Sequence, residues 1–280
     1  MEKLSKNKRA LIGLSVSLAV IVPFTLYSAY LGRSNTTYIT SLCADRRCEC
    51  SDWYRQDAGV YRIENNVWNK GDFNGYQQCV FMGERDGGFE AGWAWNWPGV
   101  RFDVVAYPNI MYGKNPWLPA TTASLPLRIG DIDCLEAEFE VIQTGTGKGN
   151  LAFDLWVTNS ASAQPADITR EIMIWLSRTG FWSAGSRIDT ITFDGKEVGL
   201  WVKENHNPSE DYVWTYFAFV YQSDFTEGVV DLAGFLRYLV ENGHISADEY
   251  LASIQLGNEI VSGYGSTVIR DFEVRVCGLN

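Results

Sequence analysis

Glu171-Ile172-Met173-Ile174-Trp175-Leu176 reads as a strand with two unlike faces. Alternate side chains of an extended chain share a face. Ile172, Ile174 and Leu176 then make one aliphatic row fit for a core, and Glu171, Met173 and Trp175 make the other. A carboxylate, an adaptable thioether and an indole suit neither a solvated face nor a core; together they suit the floor of a cleft. Upstream, Leu151, Phe153, Leu155 and Val157 alternate with Ala152, Asp154, Trp156 and Thr158. Downstream, Gln255, Gly257 and Glu259 oppose Ile254, Leu256 and Ile260. Three predicted strands thus each carry an acid on the face turned away from an aliphatic row.

The rest of the chain fits that pattern. From Cys50 onward, short strands are broken by Gly, Asn, Asp and Pro at sandwich-like spacing. Leu135, Ala137, Phe139 and Val141 alternate with Glu136, Glu138 and Glu140, a strand with one wet face. One helix is expected: Asp231 is a good N-cap, Leu232, Phe235, Leu236, Leu239 and Val240 fall at helical spacing, and Gly243 is a natural stop. Ser246 and Glu249 resemble a capping box for a following turn. The expected fold is all-β, a sandwich with one packed α-helix.

Residues 1–9 are basic, and Ala10 to Tyr30 carries no charge. Such a span, about 30 Å as a helix, matches a bilayer core, so 10–30 reads as a transmembrane anchor or signal peptide. Cationic residues before it stay cytoplasmic, which places the rest outside the cell, secreted or anchored to the outer membrane face. Residues 31–42 read as a linker and 43–280 as the folded domain. Six cysteines fit an oxidising compartment and allow 15 pairings. Disulfides are favoured over metal, because neither His206 nor His244 lies near the Cys43, Cys48, Cys50 cluster. Net charge is −11, or about −14 without the basic N-terminus, and no basic face is visible for a nucleic acid. The eleven Trp exceed ordinary packing needs and suit sugar faces.

Two carboxyls across a groove suffice for glycoside hydrolysis: one attacks or activates water while the other protonates the leaving oxygen. Their pKa values must be pushed apart, and a third carboxyl can orient the nucleophile. No Ser–His–Asp grouping, P-loop or dinucleotide spacing competes. This chemistry requires no metal or organic cofactor.

Several segments carry a resemblance, in order along the chain: Asn65-Asn66-Val67-Trp68, the indoles Trp93, Trp95 and Trp97, Tyr107-Pro108-Asn109, Ala152-Phe153-Asp154-Leu155-Trp156, Glu171 to Leu176, and Gly257-Asn258-Glu259-Ile260. From about Cys50 to Val276 they resemble glycoside hydrolase family 12, the small β-jelly-roll endoglucanases and xyloglucanases. The resemblance implies a jelly roll with Glu171 as nucleophile, Glu259 as acid/base and Asp154 supporting Glu171. It implies retention of configuration, with carboxyls about 5–5.5 Å apart, and a Cys50–Cys79 disulfide. Asn66, Trp68, Trp53, Tyr107, Met173 and Trp175 become expected sugar contacts, with Trp53 outermost and Trp175 open to the cleft. The expected substrate is a β-1,4-glucan cut internally by a monomer; a non-catalytic glucan-binding module and a related xylanase are the alternatives. Two departures stand out: the Asn258-Glu259-Ile260 context, and Trp182-Ser183-Ala184-Gly185 where the family often has Pro.

Overall fold

The computed structural model describes residues 38–85, 88–206 and 212–277. The expected membrane or signal segment, 10–30, lies outside them. Residues 38–42, assigned above to a linker, form a helical turn whose Leu42 is buried against Phe81 and Ala94. An apolar side chain at that spot docks the turn onto a sheet, which a polar linker reading does not anticipate.

One sheet, the site sheet, orders its strands β1 (Arg55–Ala58), β2 (Tyr61–Glu64), β5 (Asn109–Gly113), β14 (Tyr250–Gly257), β8 (Lys148–Thr158), β9 (Ile168–Thr179), β12 (Trp214–Tyr221), β11 (Lys196–His206) and β10 (Ser186–Phe193). The backing sheet holds β3 (Gln77–Arg85), β4 (Gly88–Trp97), β15 (Ile260–Cys277), β7 (Cys134–Gly145) and β13 (Glu227–Asp231), and the two-residue β6 (Leu127–Arg128) borders β14. Pairing is antiparallel except between β9 and β12. β15 starts against β8, then crosses to run between β4 and β7. Glu259 sits immediately before this corner.

The aliphatic rows read from the sequence lie between the layers. Ile172, Ile174 and Leu176 of β9, and Leu151, Phe153, Leu155 and Val157 of β8, pack with Leu135, Ala137, Phe139 and Val141 of β7 in one buried cluster. Phe139 meets Phe153 edge-on at 5.5 Å, a favoured aromatic geometry. The helix α1 (Leu232–Glu241) begins where the Asp231 carboxylate accepts the Gly234 N–H at 2.8 Å. It buries Leu232, Phe235, Leu236 and Leu239. The Ser246 N–H donates to the Glu249 carboxylate at 2.7 Å and closes a turn rather than a second helix.

Three disulfides join Cys43 to Cys48, Cys50 to Cys79 and Cys134 to Cys277. The last ties the start of β7 to the end of β15, where the two are already paired. Trp93, Trp95, Trp97, Trp156, Trp175 and Trp214 are all buried, so packing claims more of the indoles than the composition suggested.

Candidate active site

Strand register brings the acids together. On the outer face of the site sheet, Asp154 of β8 lies opposite Met173 of β9, and Trp156 opposite Glu171. Asp154 and Glu171 are therefore diagonal neighbours, and such pairs remain within reach of long side chains. On the other flank Gln255 of β14 faces Asp154. The alternation expected to carry Glu259 onto the same face stops at Gly257, where β14 ends. Glu259 is instead delivered from the turn into β15.

Asn150 holds that turn. Its backbone N–H donates to the Glu259 carbonyl at 3.1 Å, its side-chain oxygen accepts the Glu259 N–H at 3.0 Å, and its Nδ2 donates to the Glu259 carboxylate. Beside it, Asn258 Nδ2 donates to the Asn150 carbonyl at 2.6 Å, while its oxygen accepts from Trp93 Nε1 at 2.8 Å and from Thr267 Oγ1 at 2.6 Å. These bonds tie the turn to β8 in the site sheet and to β4 and β15 in the backing sheet. A Cβ at Gly149 would lie 2.0 Å from the Glu259 carbonyl oxygen, so only glycine lets the two backbones approach.

Glu171 has a different neighbourhood. Its carboxylate accepts the Trp214 indole N–H at 2.7 Å. His206 Nε2 lies 3.9 Å from the same oxygen, beyond hydrogen-bond reach. Burial, with Lys203 adding to it, lowers the His206 pKa to about 4, so this contact is a neutral imidazole beside an acid and not an ion pair at pH 7.

Burial pushes the Glu171 carboxyl up to about 7, with the Trp214 N–H pulling it back. Burial, then the charge of Glu171, pushes Glu259 up to about 8, against the Asn150 amide. Asp154 goes well above the ordinary carboxylate range, chiefly by burial and then by the charges of Glu171 and Glu259. One of its oxygens is buried with no hydrogen-bond partner. The Trp214 N–H favours the ionised form of Glu171, and the charge of Glu171 in turn favours the protonated form of Glu259. An ionised carboxylate beside a protonated one is the charge state that two-carboxyl glycoside chemistry requires.

The glycosyl hydrolase family 12 model matches residues 59–276, most of the chain and both of these carboxyls. The chain belongs to family 12. It is thereby a glycoside hydrolase. It is 29% identical over 223 residues to endoglucanase S of Pectobacterium parmentieri, covering 77% of this chain and 81% of that one. A xyloglucan-specific endo-β-1,4-glucanase A of Emericella nidulans is 28% identical over 225 residues, covering 78% and 86%. Among solved structures, a family 12 xyloglucanase from Bacillus licheniformis in complex with ligand superposes with a TM-score of 0.76 at 26% identity, over 82% of this chain and 99% of that one.

On this family 12 scaffold the expected sugar contacts divide in two. Trp53 and Trp68 present open indoles, 41% and 38% exposed. The Asn66 side chain accepts the Trp68 backbone N–H at 3.0 Å and so holds the turn that carries that ring. Trp53 has a left-handed backbone (φ 61°), a strained state for a non-glycine residue. Its N–H donates to the Asn65 carbonyl at 2.9 Å.

Trp175, Met173 and Tyr107 do not offer open surfaces. Trp175 is 1% exposed because Phe181, from the turn after β9, stacks on it at 5.1 Å. Met173 is buried and its sulfur accepts the Tyr216 hydroxyl at 3.5 Å. The Tyr107 hydroxyl donates to the Ala152 carbonyl at 3.0 Å and lies 3.4 Å from that of Gln255, bracing β8 against β14. Trp156 is likewise closed in, edge-on between Trp117 and Trp214. Alternation identifies the face a side chain takes but not the loop or ring that covers it.

Asn150, Trp214 and His206 were missed. Asn150 shares the parity of Ala152 and Asp154, so the signal was present one step upstream of the segment that was read. Trp214 was hidden because both faces of β12 are apolar: Phe217 and Phe219 fill the core, and Tyr216, Ala218 and Val220 fill a second cluster.

Asn150→Ala should therefore disturb Glu259 specifically. The amide lowers the Glu259 pKa, so its removal should move the basic limb of the kcat/KM profile to higher pH. The turnover at pH 6 should fall about 10-fold, the scale of one lost charge-assisted hydrogen bond. A profile that loses height without moving would show Asn150 to be merely structural.

Proposed function

We propose that this family 12 hydrolase cuts β-1,4-glucans internally with retention of configuration, Glu171 acting as nucleophile and Glu259 as acid/base. One observation carries the reading: two half-buried carboxyls share the outer face, Glu171 held by the Trp214 indole N–H and Glu259 by the Asn150 amide, and the charge of Glu171 raises Glu259. Glu171 attacks the anomeric carbon while Glu259 passes its proton to the glycosidic oxygen. The carbon–oxygen bond breaks, the shortened glucan leaves, and a glycosyl ester of Glu171 remains. Glu259, now ionised, takes a proton from water as that water attacks the same carbon, and Glu171 departs as carboxylate. Asp154, diagonal to Glu171 and raised by burial and by the charges of both glutamates, is suited to share a proton with Glu171 and hold its orientation. Trp53 and Trp68 stack on glucosyl units, and Asn66 holds the turn that carries Trp68. The relatives named as endoglucanases and xyloglucan-specific endoglucanases support a polymeric β-1,4-glucan as the substrate.

The disulfides support an extracellular setting, secreted or held at the membrane by residues 10–30. The test is product analysis on mixed-linkage β-glucan and xyloglucan. Proton NMR during the first minutes should show new β-anomeric reducing ends, with oligosaccharides of mixed length. First-formed α-anomers would end the retaining assignment, and binding without new reducing ends would make the chain a binding module.

Trp68→Ala should raise KM on long glucans by roughly 5- to 10-fold, the loss of one aromatic contact. Kcat on short activated glycosides should change little. A fall in kcat alone would place Trp68 outside substrate binding.

A further inference from the structure

A small cavity lies at the strand ends behind Glu259, with a volume of ≈ 110 Å³. That is room for one polar substituent and a few waters. Its walls include Trp95, Gly147, Lys148, Arg178 and Glu259. Three of these, Trp95, Lys148 and Arg178, present donors with capacity to spare. The Trp95 indole is 7% exposed, and its N–H has no hydrogen-bond partner among the described residues. A Cβ on Gly147 would lie 2.9 Å from that nitrogen, so the glycine keeps the N–H open to the cavity. Among the described residues neither cation forms an ion pair: Lys148 lies over the Phe102 ring at 5.8 Å, and Arg178 over the Trp182 ring at 3.8 Å. Among the described residues the Arg178 guanidinium makes one hydrogen bond, a 3.4 Å donation to the Phe181 carbonyl at the outer limit of reach. In a chain of net charge −11, two cations without an ion-pair partner among the described residues, beside a buried orphan donor, outnumber the one acid of the wall, Glu259, and form a site suited to a further anion.

We propose that this cavity binds a carboxylate carried by the polysaccharide, so that the enzyme favours β-glucans bearing acidic units next to the bond that Glu259 protonates. The guanidinium offers a planar fork matched to carboxylate oxygens, the lysine adds a point charge, and the indole N–H supplies a directed donor. Phe102 and Trp182, both exposed, hold the cations flat and leave outer ring faces for the glycan itself. The inference rests on the hydrolase reading above, and its test separates the two.

Mixed-linkage β-glucan and the same glucan partly oxidised at C6 to glucuronosyl units serve as substrates at low and high salt. Wild type should cut the oxidised polymer with the higher kcat/KM at low salt and lose that advantage at high salt. Lys148→Met with Arg178→Met keeps the side-chain stems, and should lower the ratio of oxidised to neutral kcat/KM about 10-fold, one charge-assisted contact's worth. Gly147→Ala, which closes over the indole, should lower the ratio in the same direction. Binding of the oxidised glucan to Glu171→Ala protein, read by tryptophan quenching, should weaken with the same substitutions and needs no turnover. A ratio equal in wild type and double variant, or binding indifferent to salt, overturns the carboxylate site. Neutral glucan left uncut by wild type overturns the hydrolase reading instead.

Discussion

Glu171→Ala protein is expected to lose about 10⁴-fold or more of its kcat on polymeric glucan, and to regain turnover on an activated aryl β-glycoside when azide is added. The size follows from removing a group that makes and breaks a covalent bond, not one that merely assists. The rescue follows from geometry. Truncation opens space below the anomeric carbon, next to the Trp214 N–H that held the carboxylate, and a small anion entering there attacks from the same side as Glu171 does. The product is then an α-glycosyl azide, the inverted isomer. NMR of the product decides the matter: a β-glycosyl azide, or rescue with equal efficiency in Glu259→Ala and not in Glu171→Ala, would exchange the roles of the two acids.

The same residue links catalysis to stability. Its folded pKa, about 7, lies above the ordinary carboxyl value near 4 that it has when unfolded. Between those values the folded state binds the proton and the unfolded state does not, so stability contributed by the site falls as pH rises from about 4 through 7. Below the unfolded value both states are protonated and nothing is lost. Glu171→Gln removes the penalty, and should raise the melting temperature by a few degrees at pH 8 and by roughly nothing at pH 4. A gain of equal size at both pH values would point to better packing rather than to relief of a buried charge.

What the sequence made legible follows what strand periodicity can encode. The aliphatic rows of β8 and β9 declare which face packs between the layers, and the acids lie on the opposite face, as read. The helix was legible because Asp231 and the apolar spacing after it act within one turn of chain. Contacts made across the sequence were not. Phe181 covers Trp175 from a turn whose residues carry no periodic signal, and Tyr107 is turned to the backbone of β8 and β14. Glu259 was singled out by its motif, but what holds it in place is Asn150, 109 residues earlier, acting through three hydrogen bonds. Alternation is local information, and the support of a catalytic side chain is mostly long-range.

Glu259→Ala should separate two substrates that Glu171→Ala treats alike. A glucan leaving group is a sugar hydroxyl and departs poorly as an alkoxide, so hydrolysis of the polymer needs the proton Glu259 holds; its loss should cost about 10³-fold to 10⁴-fold in kcat/KM. A dinitrophenyl glycoside leaves unaided. Its first step should survive, giving a burst of phenolate close to one per enzyme, followed by slow turnover because no base remains to activate water. The basic limb of the polymer profile, set in wild type by a carboxyl pushed up to about 8, should vanish along with the group that titrates. Azide should again speed the aryl substrate, this time by attacking the glycosyl ester of Glu171 from the face that water uses, and the product should be the β-glycosyl azide. Equal losses on polymer and activated glycoside, with the basic limb still in place, would show that the proton comes from elsewhere and would leave Glu259 as a structural acid in the corner between the two sheets.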